Sequence, residues 1–325
     1  MKIVVAYNDD LHLKGHLNDI ERIGEQEVAP AAEEVAAITG GRLMPVRDVA
    51  EALDELRREP PQVVFNLCEG VAGRSRWEMH FGLALEMLGI PFTGADPTAL
   101  GICGDKGLTK QILATAGLPV PADYPPRAES REARAFFIVK PLHEDAGIGI
   151  DAAAVCSTHD EVIKRVEHVT KTYGQPALVE EFIDGPELNQ ALYYGPAGAV
   201  VLPPGEVVFG PELTAAERVV GWKAKWEEGS LEDRATISRA PAVIDDTLRS
   251  DVSDVCLAAA SLLSIGGPCR FDLRQRPSGE LCIVDVNPNP DIGRESGFRK
   301  ALSAAGIAFD RFLDELMMAA LSRRR

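Results

Sequence analysis

The first hundred residues alternate between short apolar segments and helical segments, and this alternation limits the folds open to the chain. The helical segments carry ordinary boundary signals, such as Asp48 as an N-cap and Gly40-Gly41 and Gly89 as stops. Strands that alternate with helices of this length predict βαβ units on a parallel sheet. The predicted strands are 2–7, 62–67 and 90–93, and the predicted helices are 28–39, 49–59 and 76–88.

The remainder of the chain departs from this alternation. A helix over 105–116 stops at Gly117, and the Pro- and charge-rich stretch 124–135 is expected to connect two units. Strands at 136–140, 177–183 and 187–194 with a helix near 160–173 predict a smaller α+β unit, and 246–264 forms an amphipathic helix. The fold class is therefore mixed α/β and α+β. We expect three units: 1–99, 100–186 and 187–325.

Composition excludes several kinds of partner. Fifty acidic residues against 34 basic ones give a net charge of −16, so a nucleic acid would meet repulsion. No apolar run approaches the ~18 residues of a membrane span, and the N-terminus lacks signal-peptide features. The six cysteines form no CxxC pair and the six histidines show no zinc spacing, so buried free thiols are expected. These features indicate a cytoplasmic chain without nucleic-acid or membrane partners.

The most informative stretch is a hairpin with two acidic side chains on one face. A two-residue turn at Ser278-Gly279 places Asp272 opposite Asp285 and Arg270 opposite Asn287, with all four side chains on the same face. Two carboxylates about 5 Å apart repel by roughly 3 kcal/mol at an effective dielectric of about 20. The pair therefore needs a cation or a shared proton.

Two interpretations of the hairpin remain open on spacing alone. Asp272, Asp285 and the amide oxygen of Asn287 are hard ligands suited to Mg²⁺, with Arg270 facing phosphate or an oxyanion. The alternative is a solvated hairpin in which Arg270 neutralises the acids. The rigid segment 288–290, Pro-Asn-Pro, ends the strand beside the acids and favours the functional site.

Four other segments carry weaker signals. Lys140 precedes a glycine-bearing loop that could hold phosphates, but an exposed strand-end lysine is the commoner explanation. Lys106 opens a helix that Asp105 caps. Glu180, Glu181 and Glu187 flank a turn, where acids are usually solvated. The long polar stretch 212–234, which contains Trp222 and Trp226, indicates a lid, or alternatively a disordered insertion.

Together these segments resemble the D-alanine–D-alanine ligase family of the ATP-grasp superfamily. The resemblance covers nearly the whole chain and is most specific from Asn66 onward. It rests on five motifs in the expected order: 65–70 with Gly94; Asp105, Lys106 and Lys110; Lys140-Pro141 through Gly149; 180–187; and Arg270-Phe271-Asp272 with Asp285-Val286-Asn287-Pro288.

The resemblance implies a three-domain ATP-grasp architecture with an N-terminal parallel-sheet domain, and roles for individual residues. ATP and Mg²⁺, or Mn²⁺ in its place, would be the cofactors, and small carboxylate and amine molecules the substrates. Members are commonly homodimers, although nothing in this sequence establishes one. The implied roles are phosphate binding by Lys106 and Lys140, base and ribose binding by Glu180, Glu181, Ile183 and Glu187, metal binding by Asp272, Asp285 and Asn287, catalysis by Lys225 and Arg270, and substrate binding by Ser296, with Arg294 as an additional cation beside it.

The departures from the family pattern concern the substrate pockets. The N-terminal glycine/serine/acid motif is missing, and Asn8-Asp9-Asp10 and Glu21-Arg22 are poor substitutes. Ala146-Gly147 stands where paired serines are expected, and Trp226 replaces a tyrosine. At the metal site Asp285 replaces a glutamate, and Asp291 replaces a glycine beyond it. The ATP apparatus is kept while the amino-acid pockets change, which predicts amide ligation on a substrate other than a D-alanine pair.

Three functions follow as hypotheses. The first is an ADP-forming carboxylate–amine ligase that uses at least one amino-acid-like substrate. The second is an authentic D-alanine–D-alanine ligase with divergent pockets. The third is a nucleotide-binding module without catalysis, against which the retained Arg270 and the two metal carboxylates argue.

Overall fold

The structure is a computed structural model that describes residues 1–9, 28–124 and 136–323. Asp10, the Glu21-Arg22 pair and nearly all of the predicted connector 124–135 lie outside these residues. The first sheet holds three parallel strands in the order β2–β1–β3, which confirms the predicted parallel sheet. Its elements are β1 (Ile3–Asn8), α1 (Ala29–Thr39), β2 (Arg42–Val46), α2 (Val49–Arg58), β3 (Val63–Leu67) and α3 (Glu78–Met87).

Boundary residues in this part behave largely as the sequence predicts. Gly40 ends α1 in the left-handed region with φ 68°, and the Asp48 side chain caps α2 by accepting from the Glu51 amide. Strand β2 was not predicted, and the predicted strand at 90–93 is reduced to a single bridge between Val64 and Phe92. Helix α4 (Pro97–Cys103) was also not predicted. It precedes α5 (Lys106–Thr115), which Asp105 caps.

The second sheet is small and antiparallel, with strand order β5–β4–β6. Helix α6 packs on it through buried Val162 and Val169. A capping box at Thr158 and Glu161 fixes the start of this helix. The elements of this unit are β4 (Phe137–Pro141), β5 (Val155–Cys156), α6 (His159–Tyr173) and β6 (Ala177–Glu181).

The third sheet is antiparallel and six-stranded, in the order β10–β9–β7–β11–β12 with β8 paired to β7. Helix α9 packs on its inner face, and this face holds Phe271, Leu273 and Ile283. The elements are β7 (Glu187–Gly195), β8 (Gly198–Val201), β9 (Gly205–Phe209), α7 (Trp222–Trp226), α8 (Leu231–Ala235), β10 (Thr236–Arg239), α9 (Asp246–Leu262), β11 (Cys269–Gln275), β12 (Leu281–Asn287), α10 (Gly297–Ala304) and α11 (Phe309–Ser322).

The two C-terminal helices cover the N-terminal sheet. Phe298 of α10 and Phe312 of α11 are fully buried in one cluster with Val5 of β1 and Phe65 of β3. The other face of that sheet packs on α2 and α3. Each predicted unit contains one sheet, while the boundaries at residues 99 and 186 stay predictions. No helix in the described part of the chain has the length and apolar content needed to cross a membrane, and all six cysteines are buried free thiols.

Candidate active site

A cavity of about 270 Å³ lies between the second and third sheets. Strands β4 and β6 form one wall, and β7, β9, β11 and β12 form the other. Two loops close it: residues 141–150, the glycine loop, and residues 219–226, the lid loop. Its lining combines an apolar group, Ile138, Phe182, Val207 and Val219, with many charged side chains. Apolar and charged groups in one cleft suit a nucleotide with its base and phosphates.

The hairpin places the predicted charged residues on the cavity face. Asp272 lies opposite Asp285 and Arg270 opposite Asn287, as predicted, and all four line the cavity. The predicted two-residue turn is wrong, because the loop between Arg276 and Glu280 holds three residues. A β-bulge between Asp272 and Leu273 shifts the register by one residue and leaves Val284 unpaired. The longer loop and the bulge compensate, so the register at the acids is unchanged.

Each acid of the pair has its own cation. Arg270 Nε and Nη2 donate to the two carboxylate oxygens of Asp272 at 2.8 and 3.0 Å. Lys106 Nζ donates to Asp285 Oδ1 at 2.7 Å and to Asp145 Oδ1 at 2.8 Å. Burial opposes the ionisation of Asp285, but Lys106, Lys140 and Arg270 outweigh it and hold the pKa of that carboxyl below its usual range. Asp285 therefore stays ionised and available as a ligand.

The donor set fits a magnesium ion that keeps some of its waters. In the part of the chain that the structure describes, no three or more His, Cys, Asp or Glu side chains converge to hold a metal. The candidate set is instead two carboxylates and one amide oxygen, which leaves positions for water or phosphate oxygens. The Asn287 side-chain oxygen already accepts from the Asn289 amide at 2.8 Å, and this bond fixes its orientation.

Glu180 is buried and Lys140 is half-buried beside it, contrary to the commoner explanations that each is solvated. Lys140 Nζ lies 2.6 Å from Glu180 Oε1 and donates to the Val284 carbonyl oxygen at 3.2 Å. Glu180 is only 2% exposed, and Lys110 lies 3.2 Å from its other oxygen. The bulge at Val284 thus supplies an acceptor that holds Lys140 over the hairpin.

Glu181 and Glu187, the other two glutamates of the 180–187 segment, each pair with an arginine. Glu181 pairs with Arg276 and accepts from the Ala122 amide at 3.0 Å. Burial opposes ionisation of Glu181, but these two bonds prevail and lower its pKa. Glu187 is buried beside Arg274, whose Nη1 also donates to the Ile183 carbonyl oxygen at 2.9 Å. Neither Glu180 nor Glu187 is a solvated turn residue.

The lid loop is ordered against the glycine loop, so a disordered insertion is the wrong interpretation. Trp226 is buried and its Nε1 donates to the Ala146 carbonyl oxygen at 3.1 Å. The two backbones touch at Gly147 and Gly221, where a Cβ on Gly221 would overlap the Ile150 carbonyl oxygen. Lys225 belongs to the same short helix, α7, and lines the cavity.

The structure places only one of the two predicted substrate-binding residues at the cavity. Ser296 lines the cavity and caps α10 by accepting from the Arg299 amide at 3.1 Å. Arg294 is 77% exposed at its side chain and pairs with Glu34 of α1 at 3.3 Å, and it is not among the cavity-lining residues. The structure therefore brings Ser296 to the cavity and turns Arg294 towards α1.

Among the cavity-lining residues to which sequence reasoning gave no role are Glu69, within the 65–70 motif, and Arg274. Arg274 lies two residues beyond Asp272, so strand periodicity could have placed it on the same face. Glu69 follows the carboxyl end of β3, the edge of a parallel sheet where ligands bind. Burial raises the pKa of Glu69 well above its usual range, and Asp291, Glu78 and Asp145 add to this effect.

Comparison with known proteins identifies the relatives of this chain. The profile of the D-ala D-ala ligase C-terminus family matches residues 127–318. An uncharacterized protein, y4sG of Sinorhizobium fredii, is 31% identical over 258 residues, 78% of this chain and 73% of the relative. A D-alanine–D-alanine ligase of Gluconobacter oxydans is 29% identical over 281 residues, 85% of this chain and 86% of the relative.

A solved structure agrees over nearly the full length of the chain. The D-alanine–D-alanine ligase of Bacillus anthracis complexed with ATP superposes with a TM-score of 0.74 at 19% identity, covering 99% of this chain and 97% of that one. The family profile and the named relatives, together with the fold, identify an ATP-grasp ligase. Within that class, the chain belongs to the D-alanine–D-alanine ligase family.

Proposed function

We propose that this chain is an ADP-forming carboxylate–amine ligase that makes an amide bond through an acyl phosphate, with an amino-acid-like substrate. The observation that carries the proposal is the convergence of Lys106, Lys140 and Arg270 on a buried face that also holds the Asp272–Asp285 pair. Cations around paired carboxylates are what a site needs to hold a nucleotide triphosphate and its metal.

The reaction proceeds in two displacements. A carboxylate oxygen of the first substrate attacks the γ-phosphorus of ATP, and the bond to ADP breaks. The amine of the second substrate then attacks the acyl carbon, phosphate leaves, and a proton is lost from nitrogen. The protein contributes positioning and charge neutralisation, because little covalent chemistry falls to its side chains.

The cavity residues divide these tasks. Lys106 and Lys140 bind the phosphates, and Lys225 reaches the transferred phosphoryl group from the lid loop. Arg270 stabilises the oxyanion of the tetrahedral intermediate. Glu180, Glu181 and the backbone of Ile183 bind the base edge, and Glu187 binds the ribose. Asp272, Asp285 and Asn287 hold Mg²⁺, or Mn²⁺, which neutralises phosphate charge when bound.

The substrate end favours a ligation other than that of two D-alanines. Ala146 and Gly147 carry no hydroxyl at the glycine loop, while Glu69 and Asp291 bring acidic groups to the cavity. Ser296 binds a carboxylate of the second substrate, with Arg294 recruited only if its side chain leaves Glu34. An authentic D-alanine–D-alanine ligase is the second candidate, and the Gluconobacter oxydans relative, which carries that name, favours it. A non-catalytic ATP-binding module would have little use for Arg270 beside the metal carboxylates.

The experiment is phosphate release from ATP and Mg²⁺ with a panel of D- and L-amino acids, singly and in pairs, with mass spectrometry of the products. The proposal expects turnover confined to one or a few pairs and an amide product. Turnover with D-alanine alone would establish the second candidate. ATP binding without phosphate release on any pair would favour the module.

The proposal extends to the partners, location and oligomeric state of the enzyme. We propose small-molecule partners, a cytoplasmic location and a homodimer, the last of which size-exclusion chromatography with light scattering would test. A monomer at micromolar concentration would exclude the dimer without affecting the ligase assignment.

A further inference from the structure

A buried arginine lies beside the proposed ribose-binding residue. Arg274 of β11 is directly opposite Glu187 of β7 in the sheet register, and both side chains face the cavity. They are 5% and 7% exposed. Loss of either partner would leave the other charge buried and uncompensated, which strongly destabilises a fold. The geometry of the pair is therefore informative.

The pairing geometry differs from a symmetric fork. Arg274 Nε and Nη2 both donate to the same oxygen, Glu187 Oε2, at 3.1 and 2.7 Å. Among the residues that the structure describes, none donates a hydrogen bond to Glu187 Oε1. A guanidinium usually engages both oxygens of a carboxylate. Here one oxygen is held and the other is left to a ligand in the cavity.

The arginine has few donors left for a ligand of its own. Nη1 donates to the Ile183 carbonyl oxygen at 2.9 Å, and Nη2 also donates to the Arg218 carbonyl oxygen. The guanidinium carbon lies 5.2 and 5.4 Å from the ring centres of Phe182 and Phe209. These contacts fix the plane of the Arg274 guanidinium and direct its donors to protein acceptors.

We propose that Arg274 is a positioning residue that holds Glu187 by one oxygen and presents the other to the ribose hydroxyls of the nucleotide. This inference rests on the proposed function, because it takes the cavity to be the ATP site. A carboxylate only accepts hydrogen bonds, and vicinal ribose hydroxyls are donors. The consequence is that the site discriminates between nucleotides with and without ribose hydroxyls, which neither residue would achieve alone.

The test measures binding of ATP and of 2′,3′-dideoxy-ATP to the purified full-length chain by titration calorimetry with Mg²⁺. The wild type is expected to bind ATP about tenfold or more tightly than the dideoxy compound, as for hydrogen bonds to a charged group. Arg274→Met is expected to weaken ATP binding about tenfold and leave dideoxy-ATP binding within about twofold. The double variant Glu187→Ala with Arg274→Met should bind ATP no more weakly than Glu187→Ala alone.

Two further variants keep the test decisive. Arg239 and Glu206 form an exposed cross-strand pair in the same sheet, so Arg239→Met is the matched control and should change neither affinity. Arg274→Lys retains one donor group and the charge, so intermediate discrimination is expected, and this variant serves if Arg274→Met does not fold.

The outcomes separate the inference from the proposed function. Equal weakening of both nucleotides by Arg274→Met would mean a structural role only and would overturn the inference. Equal binding of both nucleotides by the wild type would overturn it as well, while leaving the ATP site intact. A wild type that binds no ATP would contradict the proposed function and, with it, the inference.

Discussion

Trp226 joins the lid loop to the glycine loop through one side-chain hydrogen bond, from its Nε1 to the Ala146 carbonyl oxygen. Ala146 has φ 56°, a backbone conformation that costs an alanine about 1–2 kcal/mol, so the surrounding contacts must hold it. The indole thus supports the two loops that close over the cavity.

Replacement of Trp226 by Phe keeps an aromatic side chain and removes this donor. We expect the kcat/KM of ligation to fall about two- to tenfold, because a neutral hydrogen bond contributes about 0.5–1.5 kcal/mol. Steady-state phosphate release measures the change, and Trp77→Phe, at an exposed position on the N-terminal unit, is the control. An unchanged kcat/KM would show that the bond does not support the closed loops.

At the scale of elements, the hairpin β11–β12 shows what a sequence determines and what it does not. Side-chain alternation places the four residues of the cluster on one face. Their observed pairing matches the prediction only because the bulge compensates for a turn that is one residue longer than predicted. At the bulge, the Val284 carbonyl oxygen accepts from Lys140 of another sheet, a contact that no local pattern contains. Burial of Glu180 and Glu187 likewise depends on cations, Lys140 and Arg274, that only the tertiary fold brings near.

The close approach of the two loops gives a second prediction at this scale. A Cβ on Gly221 would overlap the Ile150 carbonyl oxygen, so Gly221→Ala must separate the lid loop from the glycine loop. We expect a red shift of tryptophan fluorescence as Trp226 becomes hydrated, and at least a tenfold loss of phosphate release. Gly266→Ala, where a Cβ has only ordinary contacts, is the control. Wild-type fluorescence and turnover in Gly221→Ala would contradict the predicted contact.

At the scale of the whole molecule, the N- and C-terminal units are joined by polar contacts as well as by a shared core. Asn289, just after β12, donates to Glu78 at the start of α3 at 2.8 Å and to the Cys68 carbonyl oxygen at 3.0 Å. This junction and the packing of α11 on the first sheet were not predicted, because they pair segments more than two hundred residues apart.

Stability should fall as pH rises because of Glu78. Burial raises its pKa to about 8, although the bond from Asn289 opposes this, so between about pH 4.5 and 8 the folded state binds more protons than the unfolded one. Glu78→Gln keeps an acceptor for Asn289 and removes the titration. The Tm of Glu78→Gln minus the Tm of wild type should therefore increase progressively up to pH 8. Each kcal/mol of difference in the free energy of unfolding corresponds to about 2 °C.

The measurement is a series of thermal melts from pH 5 to 8, with the exposed Glu86→Gln on the same helix as the control. Parallel Tm–pH curves for wild type and Glu78→Gln would contradict a raised pKa at this junction.

The most direct test of the central claim follows an oxygen atom. Once the panel of amino acids has given a productive pair, the carboxylate substrate is labelled with ¹⁸O and the released phosphate is analysed by mass spectrometry. An acyl phosphate requires that one carboxylate oxygen leave with the phosphate, so the account predicts one ¹⁸O in each phosphate formed. Unlabelled phosphate would mean that water, and not the substrate, attacks ATP, and the assignment as a carboxylate–amine ligase would be wrong.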